Sequence, residues 1–468
     1  MKPKIKILDA VHCKANPKAR ELILPCLAYK EQFYRKSRFG GKQTEKTQFL
    51  ITGRVGTSGT FFTGLLPRIK NYCKKHDLDV KIIGRNNIRK VRPTKRAKIK
   101  GIKFRPDQKE AFQLVKRRYR GNIIATTGSG KTIVANGIFS MFPKNTFLFL
   151  CHTTDILNQT CKSIEKHLPD RTYFAIGGGH KTNWKQIEHH KNDGVIVVAI
   201  INSFKNLDPK LYCDFFDVTI IDEVHHVNAK KSQYGKVMEL NLSPRRYGLT
   251  ATRPTKEREI LTNEGFFGPT IFELDMDTAI EKGINAKPVV NLVPVPYDSH
   301  ISSECGKIYK KFYQKGIVEN EKRNQLIYKL TRRSIRKKET TLIIIEKTEH
   351  GHRLQKIFAD HGMNVPFVYG KTPKEEREKV KNKLKNEKIP CAICSRIWRE
   401  GTNIPSLRHI INAHGMKEEK IIIQAMGRGL RTYKDKKEIK LSDFLDPYKF
   451  LAEHAIRRIQ VYIQQGWL

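Results

Sequence analysis

The chain has 468 residues, with 90 Lys+Arg against 46 Asp+Glu, a net charge of +44 at pH 7. Such a length holds about three domains with cores of their own, and so positive a field draws polyanions, nucleic acid first among them. Nine cysteines at irregular spacing exclude a disulfide framework, and no signal peptide, lipidation motif or long apolar run appears, so we expect a cytoplasmic protein (host cytoplasm if viral) with no membrane partner.

Residues 1–100 carry 26 Lys+Arg and 6 Asp+Glu. Within them "TQFLITGRV" (47–55) and "LDVKIIGRN" (78–86) have strand composition. Between lies "GLLPRIKNYCKKH" (64–76), amphipathic at helical spacing, with Pro67 in its first turn. These elements predict a small α/β domain over residues 1–95, ending in a basic linker. Residues 85–103 hold nine basic residues and no acidic one, which suits a solvated tether. The domain grips DNA or, alternatively, serves as a stabilising cap.

Next comes "NIIATTGSGKTIVANGIF" (122–139), a β-branched run that breaks at glycines and restarts as a helix. Gly128 and Gly130 let the backbone curl so that successive N–H groups face inward, a nest for phosphate oxygens at a helix N-terminus. Lys131 adds a charge at the β and γ phosphates, and Thr132 a hydroxyl for Mg²⁺. This is the phosphate-binding pattern G-x-x-x-x-G-K-[ST], with Ala125 in place of its first glycine. In "DVTIIDEVHHVN" (217–228) a buried strand ends at Asp222 and Glu223. One carboxylate there can bind the magnesium shell while the other orients or deprotonates the attacking water. In "IIIQAMGRGLRTY" (421–433) the spacing of Gln424, Arg428 and Arg431 puts all three on one helical face. Gly427 and Gly429 between them weaken a free helix but allow close approach to another surface. Arginines of this kind stabilise charge at a γ-phosphate.

"ATTGSGKT", "DEVH", "GLTATRP" (248–254) and "QAMGRGLR" (424–431), in this order, resemble the motifs of superfamily 2 helicases of DExH type. Lesser matches are "FLFLCHTTDILNQT" (147–160), "VVAIINSF" (197–204), "TLIIIEKTEHGHRLQKIF" (341–358), "VYGKTPKEEREKV" (368–380) and "CAICSRIWREGTNIPSL" (391–407). The resemblance covers about residues 104–435 and departs at Asn403, where many members carry Asp. It implies an α/β fold of two RecA-like parallel-sheet lobes in tandem, at 96–285 and 286–445. The small N-terminal α/β domain precedes them, and a helical tail follows at 446–468. It implies ATP as cofactor, held with Mg²⁺ by Thr127, Gly128, Ser129, Gly130, Lys131 and Thr132. Gln108 of "KFRPDQKEAF" (103–112) reads adenine, Gly401 adds a contact, and Asp222 and Thr132 serve the metal. Nucleic acid falls to His152, Thr153, Gly178, Ser203, Lys347 and Arg396, with Thr250 and Thr252 coupling the ATP cleft to the strand.

"LTATR" and "YGKTPKEER", with a small basic N-terminal domain, are most similar to the branched-DNA and branch-migration helicases of tailed phages. The expected partner is therefore forked or branched DNA, together with phage replication or recombination proteins. An RNA helicase or remodeller is the enzyme alternative, and a nucleic-acid-binding module with a dead ATPase the alternative outside enzymes. Cys391 and Cys394 form a C-x-x-C inside an apolar run with no second pair at zinc spacing, which favours core packing.

Overall fold

The structure, a computed structural model, describes residues 2–37, 40–54, 56–180, 182–227, 232–251, 253–254, 256–395, 404–416, 426, 429–430 and 432–468, with backbone alone over 33–37 and 40–44. It divides into two compact units, Met1–Thr126 with Gly130–Leu274, and Thr127–Ser129 with Asp275–Leu468.

The first unit begins with β1 (Lys4–Ile7), β2 (His12–Ala15), β3 (Ala28–Ser37), β4 (Gly40–Phe49), β5 (Gly59–Phe62) and β6 (Lys81–Ile83). Four of these make a mixed sheet in the order β5-β2-β1-β6, while β3 and β4 pair as a separate antiparallel ribbon. The sequence KIKI sets the pleat of β1, with Ile5 and Ile7 buried and Lys4 and Lys6 exposed. The strand expected over 47–55 is only the end of β4; the chain then turns at Gly53, whose φ is +90°.

This small sheet is packed on its neighbour. The Phe62 ring lies 4.4 Å from that of Phe266, Arg68 Nε donates to Glu264 Oε2 at 2.6 Å, and Arg120 Nη2 donates to Ala10 O at 2.7 Å. The basic run 85–103, expected as a solvated tether, is instead a strap laid along the same unit. Val91 and Ile99 are buried, Arg89 pairs with Asp217 at 2.9 Å, and the buried Arg245 Nε donates to Val91 O at 2.6 Å. Its apolar side chains anchor it while the long cationic ones keep their heads in water.

The seven-stranded sheet of this unit comprises β7 (Arg120–Ala125), β8 (Phe147–Cys151), β9 (Tyr173–Ile176), β10 (Ile196–Ile200), β11 (Val218–Asp222), β12 (Arg245–Thr250) and β13 (Thr270–Leu274). All pairs are parallel, in the order β13-β7-β12-β11-β8-β10-β9. Such strands are covered on both faces, which is why FLFLC and IVVAI are unbroken apolar runs.

The second unit holds β14 (Lys287–Pro294), β15 (Thr341–Ile344), β16 (Phe367–Val368), β17 (Cys391–Cys394), β18 (His409–Asn412) and β19 (Glu438–Leu445), all parallel in the order β14-β19-β18-β15-β17-β16. The fold is thus α/β, two parallel-sheet lobes with a small α/β region in front. Cys391 and Cys394 point into core clusters on opposite faces of this sheet, so the C-x-x-C is packing. The helix Lys449–Gln464 lies against β19, where Arg458 Nε donates to the buried Asp443 at 2.7 Å.

Two histidines of this unit are buried neutral. Burial, then the nearby Arg323 charge, pushes His350 down to about 3, and burial pushes His409 down to about 4. Both take up protons on unfolding between those values and the ordinary histidine range, so stability falls as pH falls below about 6.5. Between pH 7 and 5 the second unit should lose about 3–4 kcal/mol. Hydrogen exchange of β15 and β18 across that range checks it; flat protection contradicts it.

Candidate functional site

Every motif loop of the first lobe leaves the carboxyl edge of one sheet, the edge at which open parallel sheets bind ligands. Strand order sorts them. β7, β12 and β11 are adjacent and carry the glycine loop, the "TAT" segment and the paired carboxylates. β8, β10 and β9 follow and carry His152 and Thr153, Ser203, and Gly178.

β7 ends at Ala125 and the helix Lys131–Met141 begins past Gly130. Gly128 and Gly130 have φ of +87° and +91°, left-handed values that a side chain would strain. A Cβ on Gly130 would stand 3.3 Å from Gln108 Nε2, so the amide of Gln108 lies against the loop. Gln108 Oε1 also accepts from Arg105 N at 3.2 Å, closing the first turn of its helix. Lys131 Nζ donates to Ala125 O at 3.4 Å and stands 3.9 Å from Glu223 Oε1. Thr132 follows in the first helical turn.

Asp222 closes β11, and Glu223 takes a left-handed φ of +52°, a strained value for a residue with a Cβ. The two carboxyls are driven apart. Burial and the adjacent Glu223 charge push Asp222 up, whereas for Glu223 burial is outweighed by Lys131 and His225, which hold it below the ordinary range. Asp222 Oδ1 is buried with no hydrogen-bond partner among the described residues. A buried carboxylate oxygen of this kind fits a cation. Among the described residues no group of three or more His, Cys, Asp or Glu could cage a metal. One carboxylate and a hydroxyl are what a cation carried in on phosphates requires.

His225, the histidine of the "DEVH" motif, was given no role of its own from the sequence. Its Nδ1 lies 3.3 Å from Glu223 Oε2 and 3.1 Å from Thr250 Oγ1 at the end of β12. Contacts therefore run from Lys131 through Glu223 and His225 to Thr250. A histidine three places after Asp222 was visible, but its partner across two strands was not. The His226 ring continues the row, 4.3 Å from His225 and 4.6 Å from His152.

On the other half of the edge, Thr153 caps the helix Thr154–His167, its Oγ1 accepting from Ile156 N at 3.3 Å. A Cβ on Gly178 would meet Thr154 Cγ2 at 2.8 Å, and one on Gly177 would meet Ser203 Oγ at 2.6 Å. Thr153, Gly178 and Ser203 are thus brought together. In the second unit Lys347 follows β15, its Nζ donating to Gln314 Oε1 at 2.9 Å above the Tyr313 ring. Thr252, Arg396, Gly401, Asn403, Gln424, Arg428 and Arg431 lie outside the described residues.

Residues 101–255 match the family described as "Type III restriction enzyme, res subunit", and residues 321–433 match "Helicase conserved C-terminal domain". With the two parallel lobes and the motif loops on one sheet edge, these matches place the chain among the superfamily 2 helicases, enzymes that hydrolyse ATP. It is similar to the "ATP-dependent DNA helicase uvsW" of Enterobacteria phage T4, 24% identical over 375 residues, which span 75% of this chain and 73% of that protein. It is also similar to the "DNA 3'-5' translocase XPB2" of Sulfurisphaera tokodaii, at 25% over 377 residues, 72% and 80% of the two chains. Among solved structures, an "ATP-dependent Type ISP restriction-modification enzyme LlaBIII bound to DNA" shares the fold with a TM-score of 0.59 at 19% identity, covering 78% of this chain and 30% of that one.

Proposed function

We propose that the protein is an ATP-dependent DNA helicase or translocase that unwinds or branch-migrates forks and junctions, in phage replication, recombination or repair. The observation that carries the branched substrate is the outer face of the N-terminal sheet. Lys6 stands directly opposite Lys14 in the β1–β2 register, Lys4 is paired with Lys81 across β1–β6, and all four are exposed. Like charges so placed repel, by a few tenths of a kcal/mol per pair, and a polyanion relieves them. A basic face joined to a motor lobe supplies the second DNA contact that choosing a branch over a plain duplex requires.

In this reading Lys131 and the glycine loop hold the ATP phosphates, Gln108 the adenine, and Thr132 with Asp222 a Mg²⁺ ion. Magnesium, when bound, neutralises charge on the phosphate oxygens. Glu223, held ionised, orients and deprotonates the attacking water, and Arg428 and Arg431 stabilise the charge that develops on the transferred phosphoryl. His225 relays the state of Glu223 to Thr250. His225→Ala should therefore keep most basal ATP turnover but cut its stimulation by DNA about tenfold, within the range of such couplings. Steady-state ATPase with and without single-stranded DNA checks this; undiminished stimulation contradicts the relay.

The substrate is tested by replacing Lys4, Lys6, Lys14 and Lys81 with Ala. Truncation at residue 92 would instead strip Phe62 from Phe266 and expose the core of the lobe. Each phosphate contact adds about 0.9 to the slope of log affinity against log salt, so losing four should lower the slope by about 3.6. Preference for forks and four-way junctions over duplex should fall with it, while turnover on saturating single-stranded DNA persists. An unchanged slope and preference would make the region a cap. Tighter binding of structured RNA than of any DNA would make the protein an RNA helicase.

A further inference from the structure

A cavity of about 950 Å³ opens on the first unit between residues 93–97 and one face of the helix Pro106–Arg117. Five cationic side chains line it, Lys95 and Arg96 on the strap and Lys109, Lys116 and Arg117 on the helix, all exposed at their heads. No acidic side chain is among its lining residues. Asp107, on the same helix, is turned to Arg105, with contacts of 3.0 and 2.9 Å. The inner wall is apolar: Met141, the buried Phe112 and the half-buried Phe104, whose rings meet edge to face at 4.7 Å.

The groove is built rather than incidental. Thr94 N and Lys95 N both donate to Met141 O, at 3.0 and 3.3 Å, and Lys98 N donates to Ser140 Oγ at 3.0 Å. These bonds hold the strap away from Lys109 and Lys116, which share a helical face with Phe112 and Gln113. The groove is also separate from the nucleotide loop. Met141 ends the helix that Lys131 begins, about 15 Å away at 1.5 Å per residue. None of Thr126 to Ser140 lines it.

A channel with cations along its rim and an aromatic surface inside suits a single nucleic-acid strand, the backbone following the charges and a base meeting the ring. We propose that this groove is a second nucleic-acid site, taking an unpaired strand with its phosphates against the five cations and a base against Phe104. It deepens the branched-DNA reading and rests on it, since a fork or junction offers a strand that the motor does not track. In the chain the site follows the lysine-bearing sheet, ten residues past the end of β6.

The test compares wild type with a Lys109→Ala, Lys116→Ala, Arg117→Ala triple variant and with Phe104→Leu. Affinity for a plain unpaired oligonucleotide, a fork with one unpaired arm and a blunt duplex is measured at several salt concentrations. Three lost contacts to a single strand should lower the salt slope by about 2 for the oligonucleotide and the fork. The blunt duplex should change little, and ATP turnover at saturating DNA should be kept. Light-induced crosslinks from 5-iodouracil in the unpaired arm should fall within residues 93–117 and be lost in Phe104→Leu. An unchanged oligonucleotide slope, or crosslinks only elsewhere, overturns the proposal. Poly-glutamate that occupies the groove without displacing the oligonucleotide also overturns it, in favour of an acidic protein tail. Equal binding of fork and duplex by wild type would refute the branched-DNA reading alone, because the groove is judged on the plain oligonucleotide.

Discussion

Lys131→Ala should abolish ATP turnover, by about a thousandfold or more, while affinity for nucleic acid stays close to wild type. We assign the side chain to the phosphate end of the proposed site. Its Nζ is held between Ala125 O and Glu223 Oε1, at 3.4 and 3.9 Å, beside two glycines in left-handed conformation. The loops after β8, β9 and β10, assigned to the strand, lie farther along the sheet edge. The substitution also removes the largest of the charges that hold Glu223 below the ordinary carboxylate range, so the electrostatics around that carboxyl change with it. Both losses act on turnover. Near-normal hydrolysis by a folded variant, with rates followed by phosphate release, would overturn the assignment of the loop.

Arg431→Ala should lower kcat by about a thousandfold with little change in KM for ATP, because a finger acts on charge present only in the transition state. Arg431 lies outside the described residues; Met426, Gly429 and Leu430, which precede it in the chain, are described. Met426 and Leu430 are buried, and a Cβ on Gly429 would collide with Ile439 Cδ1 at 1.9 Å, so the glycine is demanded by packing on β19. The buried Lys436 Nζ donates to Gly429 O at 2.6 Å and to Leu407 O at 3.1 Å. Gly429 is thereby tied through Lys436 to Leu407. A raised KM with kcat unchanged would show an arginine that merely binds ground-state ATP.

Residues whose chemistry is local were legible in the sequence. A glycine loop after a β-branched run, and two carboxylates at the end of a buried strand, need no tertiary knowledge to be read, and the parallel-sheet lobes followed from the order of the motifs and the resemblance they carry. What escaped depends on distant partners. The ribbon β3–β4 is written in polar and charged residues, AYKEQFYRKS and GGKQTEKTQF, with no apolar alternation to mark it. β1 and β2 are four residues each. The strap was taken for a tether because nine basic residues hid Val91 and Ile99, whose burial depends on a lobe that follows in the chain. His225 matters through Thr250, a neighbour that only the β11–β12 pairing supplies. The lysine pairs on the N-terminal sheet became visible with the register and not before.

Strand displacement on a fork tests most directly the proposal that ATP hydrolysis by this chain is spent on moving along DNA. Labelled forks, four-way junctions and structured RNA duplexes would be followed in parallel with ATP turnover, with ATP or a non-hydrolysable analogue. DNA should stimulate turnover, and forks and junctions should be resolved only with hydrolysable ATP. RNA should be left paired, and Lys131→Ala should be inert. Turnover that no nucleic acid stimulates, or separation of DNA strands that proceeds equally with the analogue, would contradict it.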